Sequence, residues 1–524
     1  MAIPGDARGW PMKRLVAIRC DASITIGSGH VRRCLALAEA LAERGCSPLF
    51  ICRDLPGHLA ALIRNRGFTV TLLPSPSRPF EPAADAPPHA AWLGVSWMQD
   101  AAETEAAIRN AGAQAEWLVV DSYALDGRWS ARLRSHVRRI LAIDDLNDRP
   151  LEADLVLDPG LDASMSRSAQ RGHRADLLGP RYALLDPIYA SLRPQAKVRT
   201  APPRKILISF GGVDTLGVTL MVMETIVALH RPGLEVDVVL SRHSPSFAKA
   251  QLIANECPWM RLSEQLPSLA PLMLAADLAF GAAGGTSWER LCLGLPAAVL
   301  TMADNQRSVA TALQRHHLAR WIGDARTLEP TDLRAALAEV LDAPADIEWF
   351  DRTRAIVDGR GAARVAALLS AADTMAMNLR LAEPSDEAMI LEWANDPGTR
   401  ATAFNPEPIQ PADHTRWLQA RLRDSDGCVF LIALTPCGEP FGQVRFERGD
   451  DDLWTIGYLV SPSFRGLGLG GRMLQEALTD FRAAKGKKSL RAGVKADNAR
   501  SRAIFERLGF KLQEQAPGQV TYIF

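Results

Sequence analysis

Hydrophobic and polar positions along the first 370 or so residues alternate between two textures. Short apolar runs are separated by longer segments in which apolar side chains recur every three or four positions. Residues 14–19 are the first run. After a glycine-containing loop, a helical pattern covers 31–44, with Leu35, Ala38, Leu41 and Ala42 on one face and Gly45 ending it. Further strands are predicted over 49–52, 69–73, 117–121, 140–144 and 155–158, with a helix over 59–65. Such alternation predicts a parallel sheet covered by helices on both faces. The Pro/Ala-rich stretch 74–91 reads as a loop, and the Pro-rich basic stretch 193–204 as a linker. The alternation then restarts, with strands over 205–210, 235–240, 278–280 and 297–301 and a helix running to His230. Two α/β halves joined by a linker predict a ligand cleft between them.

An Ala-rich helix over 359–377 closes the second half, and the texture changes at Asn378. A strand starts at Leu379 and a helix covers 386–395. Strands over 428–434 and 441–447 flank the turn Pro436-Cys437-Gly438, and one more covers 454–460. The predicted organisation is an extension (1–13), an N-terminal Rossmann-like half (14–198), a C-terminal half (199–372), a linker (373–377) and an α+β domain (378–524).

A chain of 524 residues exceeds one ordinary core, and about three packed units are expected. Lys+Arg and Asp+Glu both total 60, so no basic field invites nucleic acid. None of the eight cysteines forms a C-x-x-C pair, which favours buried thiols in a reducing compartment over disulfides or zinc. The first residues carry no apolar signal segment, and no run approaches the ~20 apolar residues that span a bilayer. Together these predict a cytoplasmic protein with no membrane partner. The oligomeric state is left open.

Three strand-to-helix junctions carry candidate chemistry in the first 370 residues. The first is Asp21-Ala22-Ser23 followed by Ile26-Gly27-Ser28-Gly29-His30. Gly27 and Gly29 allow close backbone approach to a ligand, and His30 at a cleft mouth has the chemistry of a general base. A helix-start histidine bonded to a loop is the equally weighted alternative. The second is Ser209-Phe210-Gly211-Gly212-Val213-Asp214, where Gly211 and Gly212 let main-chain amides reach a diphosphate. The third is Gly281 to Arg290, with Gly284, Thr286 and Ser287 in the loop and Glu289 able to accept bonds from ribose hydroxyls. A solvated Glu is the plainer alternative. Asn305 and Gln306 follow the next strand, where their amides can read sugar hydroxyls. In the last domain, Phe464-Arg465-Gly466-Leu467-Gly468-Leu469-Gly470-Gly471 follows a strand ending at Val460. Its glycines can uncover successive amides for a pyrophosphate, in a spacing unlike a dinucleotide fingerprint. Asn498 opens a helix that ends at Gly509.

The ordered matches from about residue 14 to about 370 resemble a known family. They also include Trp117-Leu118-Val119-Val120-Asp121-Ser122-Tyr123, Ile143-Asp144-Asp145-Leu146 and Leu178-Gly179-Pro180-Arg181-Tyr182. The family is the UDP-2,4-diacetamido-2,4,6-trideoxy-β-L-altropyranose hydrolase of pseudaminic acid biosynthesis. The resemblance implies a GT-B-like fold, water attack on the anomeric carbon with UDP leaving, and no metal. It places the base on His30 and the nucleotide on Gly211, Gly212 and Glu289. Asn305 and Gln306 would face the sugar or diphosphate, and Asp21 and Tyr123 would lie in the cleft. Asp158-Pro159-Gly160 and Asp186 depart from the family pattern, and both can alter contacts to the sugar.

Residues 379–524 resemble the GNAT superfamily through the glycine loop and Asn498 to Phe510. This implies acetyl-CoA as co-substrate, held by Val460, Arg465, Gly466, Leu467, Gly468, Gly470, Gly471 and Asn498. Glu392-Trp393-Ala394-Asn395-Asp396-Pro397 and His414-Thr415-Arg416-Trp417 resemble the UDP-4-amino-sugar acetyltransferase of the same pathway, and share features with RimJ/RimL-type protein acetyltransferases. Phe505 stands where many GNATs carry a Tyr, so the proton donor for the thiolate is not assigned. His414 and Glu407 are candidates for the amine pocket, with a structural role favoured. The alternative reading is a UDP-sugar-dependent glycosyltransferase fused to a protein acetyltransferase.

Overall fold

The computed structural model describes residues 14–163, 175–211, 214–264, 266–370, 377–435, 438, 440–449, 451, 453–465 and 468–524. The extension 1–13, most of the 373–377 linker, Pro436, Cys437, Gly212, Gly466 and Leu467 lie outside them. The chain divides into two compact units. Of the described residues, 14–163 and 177–366 belong to the first and 377–524 to the second.

The first unit contains two Rossmann-like halves. Strands β1 (Arg14–Cys20), β2 (Cys46–Arg53), β3 (Thr69–Leu73), β4 (Ala115–Asp121), β5 (Val137–Ile143), β6 (Leu155–Asp158) and β7 (Ala175–Leu178) form one sheet in the order β3-β2-β1-β4-β5-β6-β7. Pairing is parallel from β3 to β6. Helix α1 (Gly29–Ala42) follows β1, and α2 (Trp97–Asn110) precedes β4. Helix α1 packs Val31, Leu35, Ala38 and Leu41 inward, and α2 starts at Ser96, whose side chain accepts from the Gln99 amide. β1 and β4 are buried almost along their whole length, as expected of parallel strands covered on both faces.

Helix α3 (Pro187–Leu192) connects to the second half. There β8 (Lys205–Ser209), β9 (Glu235–Val239), β10 (Met260–Ser263), β11 (Leu278–Ala282), β12 (Ala297–Thr301) and β13 (Arg320–Asp324) lie in the order β10-β9-β8-β11-β12-β13, all parallel. Helix α4 (Val218–Leu229) follows β8, and α5 (Thr286–Cys292) follows β11. Ala183, Leu185 and Tyr189 of the connection bury into the core of this second half, against Trp288, Leu291 and Cys292. Arg193 fixes the same connection by donating to the carbonyls of Cys292, Arg354 and Val357 at 2.8–3.1 Å.

The second unit is built on a mixed sheet of β14 (Asn378–Leu381), β15 (Cys428–Leu434), β16 (Pro440–Arg448), β17 (Trp454–Val460), β18 (Leu490–Lys495), β19 (Lys511–Ala516) and β20 (Gln519–Ile523). The order is β14-β15-β16-β17-β18-β20-β19. Neighbours are antiparallel except β17 and β18, which run parallel, pair at Trp454 with Leu490 and Thr455 with Arg491, and then part. Helices α6 (Pro411–Arg423), α7 (Leu469–Lys485) and α8 (Ala499–Arg507) complete it. Helix α7 buries Met473, Leu474, Ala477 and Phe481, and Phe481 stacks on Phe446 at 4.2 Å.

The fold class is therefore α/β, with two Rossmann-like halves in a GT-B-like unit followed by an α+β domain. Of the helix expected over 359–377, Gly361–Ser370 is helical and 371–376 lie outside the described residues, and the strand expected over 278–280 continues to Ala282. The seven described cysteines are free thiols. Among the described residues no helix is long and apolar enough to cross a membrane.

Candidate functional site

The C-terminal ends of β1 and β4 are neighbours, with Cys20 in register with Asp121. The loop after β1 turns on itself: the Gly27 amide donates to the Ser23 carbonyl at 2.8 Å, and Gly27 has φ +82°. Only a residue tolerant of positive φ closes this turn without strain. Helix α1 then starts at Gly29 and presents His30 next to Asp121. A small pocket is lined by Asp21, Ile26, His30, Trp92, Asp121 and Ser122.

His30 Nδ1 lies 2.6 Å from Asp121 Oδ1. An ionised carboxylate only accepts, so Nδ1 carries the proton and Nε2 of the neutral ring has a free lone pair. Arg33, one turn on, donates to both oxygens of the same carboxylate at 2.6 Å. Burial opposes ionisation of Asp121, but the Arg33 charge and the hydrogen bonds from Arg33 and His30 outweigh it and hold its carboxyl well below the usual range. The Tyr123 ring packs edge-on to His30 at 4.7 Å, and its hydroxyl donates to Asp145. Burial, followed by the Asp145 charge, raises the Tyr123 pKa well above normal, so the phenol stays protonated. Asp21 lines the pocket, but its carboxylate accepts from the Arg53 amide and pairs with Arg19, both at 2.7 Å.

In the second half, the switch in strand order falls between β8 and β11, where open α/β sheets bind ligands. Gly211 has φ +96°, and a Cβ at Gly211, Gly284 or Gly285 would meet nothing within 4 Å. Asp214 caps α4 by accepting from the amides of Val218 and Thr219 at 3.0 and 2.7 Å. Thr286 and Ser287 both accept from the buried guanidinium of Arg290. Glu289 accepts from the Tyr189 hydroxyl. Its carboxyl is raised, first by burial, against the opposing pulls of Tyr189, Arg290 and Arg32. Arg32 lies two residues beyond His30, so Glu289 feels a charge from the first half. Gln306 accepts from the Met302 amide at 2.9 Å, and Asn305 is half-buried beside it.

In the second unit, Gly468 begins α7 with φ +77°, open space at its Cβ position and no side-chain cap. The first amides of this long helix are left for an anion. Gly470 packs on Val460 and Tyr458, where a Cβ would fall 3.3 and 3.5 Å from their side chains. Gly471 packs nearby on Ile504. These features fit a pyrophosphate. Arg465, in contrast, is engaged by Asp396 at 2.5 Å, by Thr399 and by the Val460 carbonyl. Asn498 caps α8 by accepting from the Ser501 amide. Phe505 is buried, and the nearby Tyr458 hydroxyl bonds Ser501 Oγ at 3.1 Å.

Residues 377–511 match the family model described as an acetyltransferase (GNAT) domain. The C-terminal domain is a GNAT acetyltransferase domain. The whole chain is similar to an uncharacterized protein of Methanocaldococcus jannaschii, with 21% identity over 517 residues, covering 95% of this chain and 96% of the relative. The spore coat polysaccharide biosynthesis protein SpsG of Bacillus subtilis is 24% identical over 236 residues, 44% of this chain and 69% of SpsG. Among solved structures, MurG of Acinetobacter baumannii superposes with a TM-score of 0.48 and 16% identity, covering 68% of this chain and 99% of MurG.

Of the residues singled out in the sequence, the structure brings Asp21 and His30 to one pocket, with the Tyr123 ring packed against His30. Gly211, Gly284, Thr286, Ser287 and Glu289 gather at the β8/β11 switch, with Asn305 and Gln306 after the adjacent β12. Glu407 is exposed. His414 is buried beside Trp417, with neither ring nitrogen bonded among the described residues. Burial lowers its pKa, against a weaker opposing pull from Glu387. The unfolded chain then binds the extra proton. Stability of this domain is expected to fall as pH drops from about 6.5 through the lower folded value. His414→Phe should remove that slope, which urea unfolding between pH 5 and pH 8 would measure. An unchanged slope would show that His414 is not its source.

Sequence reasoning passed over Asp121, Arg33, Trp92 and Arg290 as site residues. Asp121 carried a readable signal, a carboxylate ending an apolar run. Arg33 and Arg290 look like ordinary helix-surface arginines until the sheet places them.

Proposed function

We propose that the first unit hydrolyses a UDP-sugar and that the GNAT domain acetylates the amine of its precursor. The single observation that carries the hydrolase reading is the His30–Asp121 pair facing a pocket at the strand ends. With Nδ1 bonded to Asp121, His30 Nε2 can take a proton from water as the water oxygen attacks the anomeric carbon. The bond from that carbon to the UDP oxygen breaks, and UDP leaves with the electron pair. Asp121 stabilises the imidazolium that forms, and Arg33 holds Asp121 in place. The nucleotide is assigned to Gly211, Gly212, Gly284, Thr286, Ser287 and Glu289, and the sugar to Asp21, Tyr123, Asn305 and Gln306.

Acetyl-CoA, when bound, supplies the acetyl group. Its pyrophosphate is assigned to the amides opened by Gly468, Gly470 and Gly471. The acceptor amine must arrive neutral to act as a nucleophile. Phe505 has no proton to give the thiolate. The substrates proposed are UDP-2,4-diacetamido-2,4,6-trideoxy-β-L-altropyranose for hydrolysis and the corresponding UDP-4-amino-4,6-dideoxy sugar for acetylation, consecutive steps toward pseudaminic acid.

The test is to incubate the full chain with acetyl-CoA and the UDP-4-amino sugar, then assay CoA, UDP and free diacetamido sugar. Formation of all three is expected. CoA without UDP would overturn the hydrolase half. UDP released only when a second sugar or lipid is added would make the first unit a glycosyltransferase. Gly468→Val places a β-branched residue at φ +77° and should weaken acetyl-CoA binding by about tenfold or more while UDP release is unchanged. Equal acetyl-CoA affinity in a titration would contradict the loop assignment.

A further inference from the structure

The second half of the first unit contains a buried guanidinium whose hydrogen bonds all go to neutral groups. Arg290 is 3% exposed. It donates to the Ala282 carbonyl at 2.8 Å, to Ser287 Oγ at 3.0 Å and to Thr286 Oγ1 at 3.4 Å. Its Nε has no partner among the described residues. Glu289, the acid next in sequence, bonds Tyr189 instead. Burial lowers the Arg290 pKa to about 10 against the pull of Glu289, which still leaves it charged at neutral pH.

Its location gives that charge a direction. Gly281 pairs with Ser209 in the β8/β11 register, at the strand ends where the order reverses. A Cβ on Gly281 would fall 2.5 Å from Arg290 Nη1 and 2.8 Å from the Ser209 carbonyl oxygen. The guanidinium therefore fills the place of a side chain at 281, between the loop at Gly211 and the loop at Gly284-Gly285. A hydroxyl that accepts from a guanidinium must point its own hydrogen elsewhere. Arg290 thus fixes Thr286 and Ser287 as donors, and its own charge has no bonded anion among the described residues.

We infer that Arg290 is a positioning residue for the diphosphate of the nucleotide. It orients the Thr286 and Ser287 hydroxyls toward phosphate oxygens and supplies buried positive charge beneath them. This rests on the assignment of UDP to the β8/β11 switch. The carbonyl and hydroxyl bonds also hold the loop, so the test separates phosphate recognition from loop folding.

Calorimetric titration of the full chain with UDP and with uridine makes that separation. Arg290→Met is expected to weaken UDP binding about 10- to 100-fold, the loss of charge-assisted bonds, with uridine affinity within about twofold of wild type. Arg290→Lys should recover part of the loss. The double variant Thr286→Val, Ser287→Ala keeps the guanidinium and should also lose UDP affinity selectively. Unaltered UDP binding by Arg290→Met, or equal loss of UDP and uridine, would overturn the inference. If Arg290→Met does not fold, the double variant decides, and undiminished UDP affinity there overturns it. A wild-type chain that binds neither UDP nor uridine overturns the nucleotide assignment and this inference with it. Wild-type binding with an unaffected variant overturns this inference alone.

Discussion

His30→Ala is expected to slow UDP release by about 10²–10⁴-fold, the range of a positioned general base, and to leave CoA formation unchanged. Asp121→Asn is the sharper variant. Its amide can present either an oxygen or an NH₂ group to Nδ1, so the ring is no longer held with its lone pair on Nε2. The carboxylate that stabilises the imidazolium is lost as well. Its loss should approach that of His30→Ala, with substrate KM little altered because both Asp121 oxygens are already taken up by His30 and Arg33. Single-turnover measurement of UDP release reads this directly. Near-normal release from either variant would remove His30 from the base role.

The largest stability effect is expected at Asp100. It is fully buried on α2 and accepts from Arg19 at 2.6 Å, Arg53 at 2.7 Å and the Trp129 indole at 3.0 Å. Burial disfavours its charge, but the two guanidinium groups outweigh that cost and lower its pKa. Asp100→Ala leaves two fully buried arginines short of a counter-charge. A loss of about 3–5 kcal/mol follows for the half that contains β1 and β2. Because Arg19 also pairs with Asp21 in the pocket, the damage should reach the candidate site. Hydrogen exchange of the β1 and β2 amides would register the loss, with α7 of the acetyltransferase domain keeping its protection. Wild-type protection in both would show that the network contributes little.

Much of this architecture was legible in the chain because parallel strands buried on both faces are nearly continuous apolar runs. β4, β11 and β12 stand out for that reason. The glycine junctions were legible too, since a tight strand-to-helix turn needs residues that tolerate positive φ. β19 was not. Its six residues, Lys511–Ala516, are all exposed at a sheet edge and carry no alternation to read. The ion pairs were illegible for a different reason. Arg19 and Asp100 are 81 positions apart, and His30 and Asp121 are 91 apart. Only the sheet order brings such partners together. Nothing in the sequence marks Arg290 either, because the inward turn of its guanidinium and the bond of Glu289 to Tyr189 are set by the fold.

The early divergence of β17 from β18 has a consequence for how an elongated molecule can lie on the acetyltransferase sheet. Past Thr455, the flank of 456–460 that faces away from β16 has no strand across from it among the described residues. Main-chain amides and carbonyls in such a notch favour a partner. A slender chain bearing its own amides can complete the ladder there as a surrogate rung, its position set by backbone spacing instead of by side-chain identity.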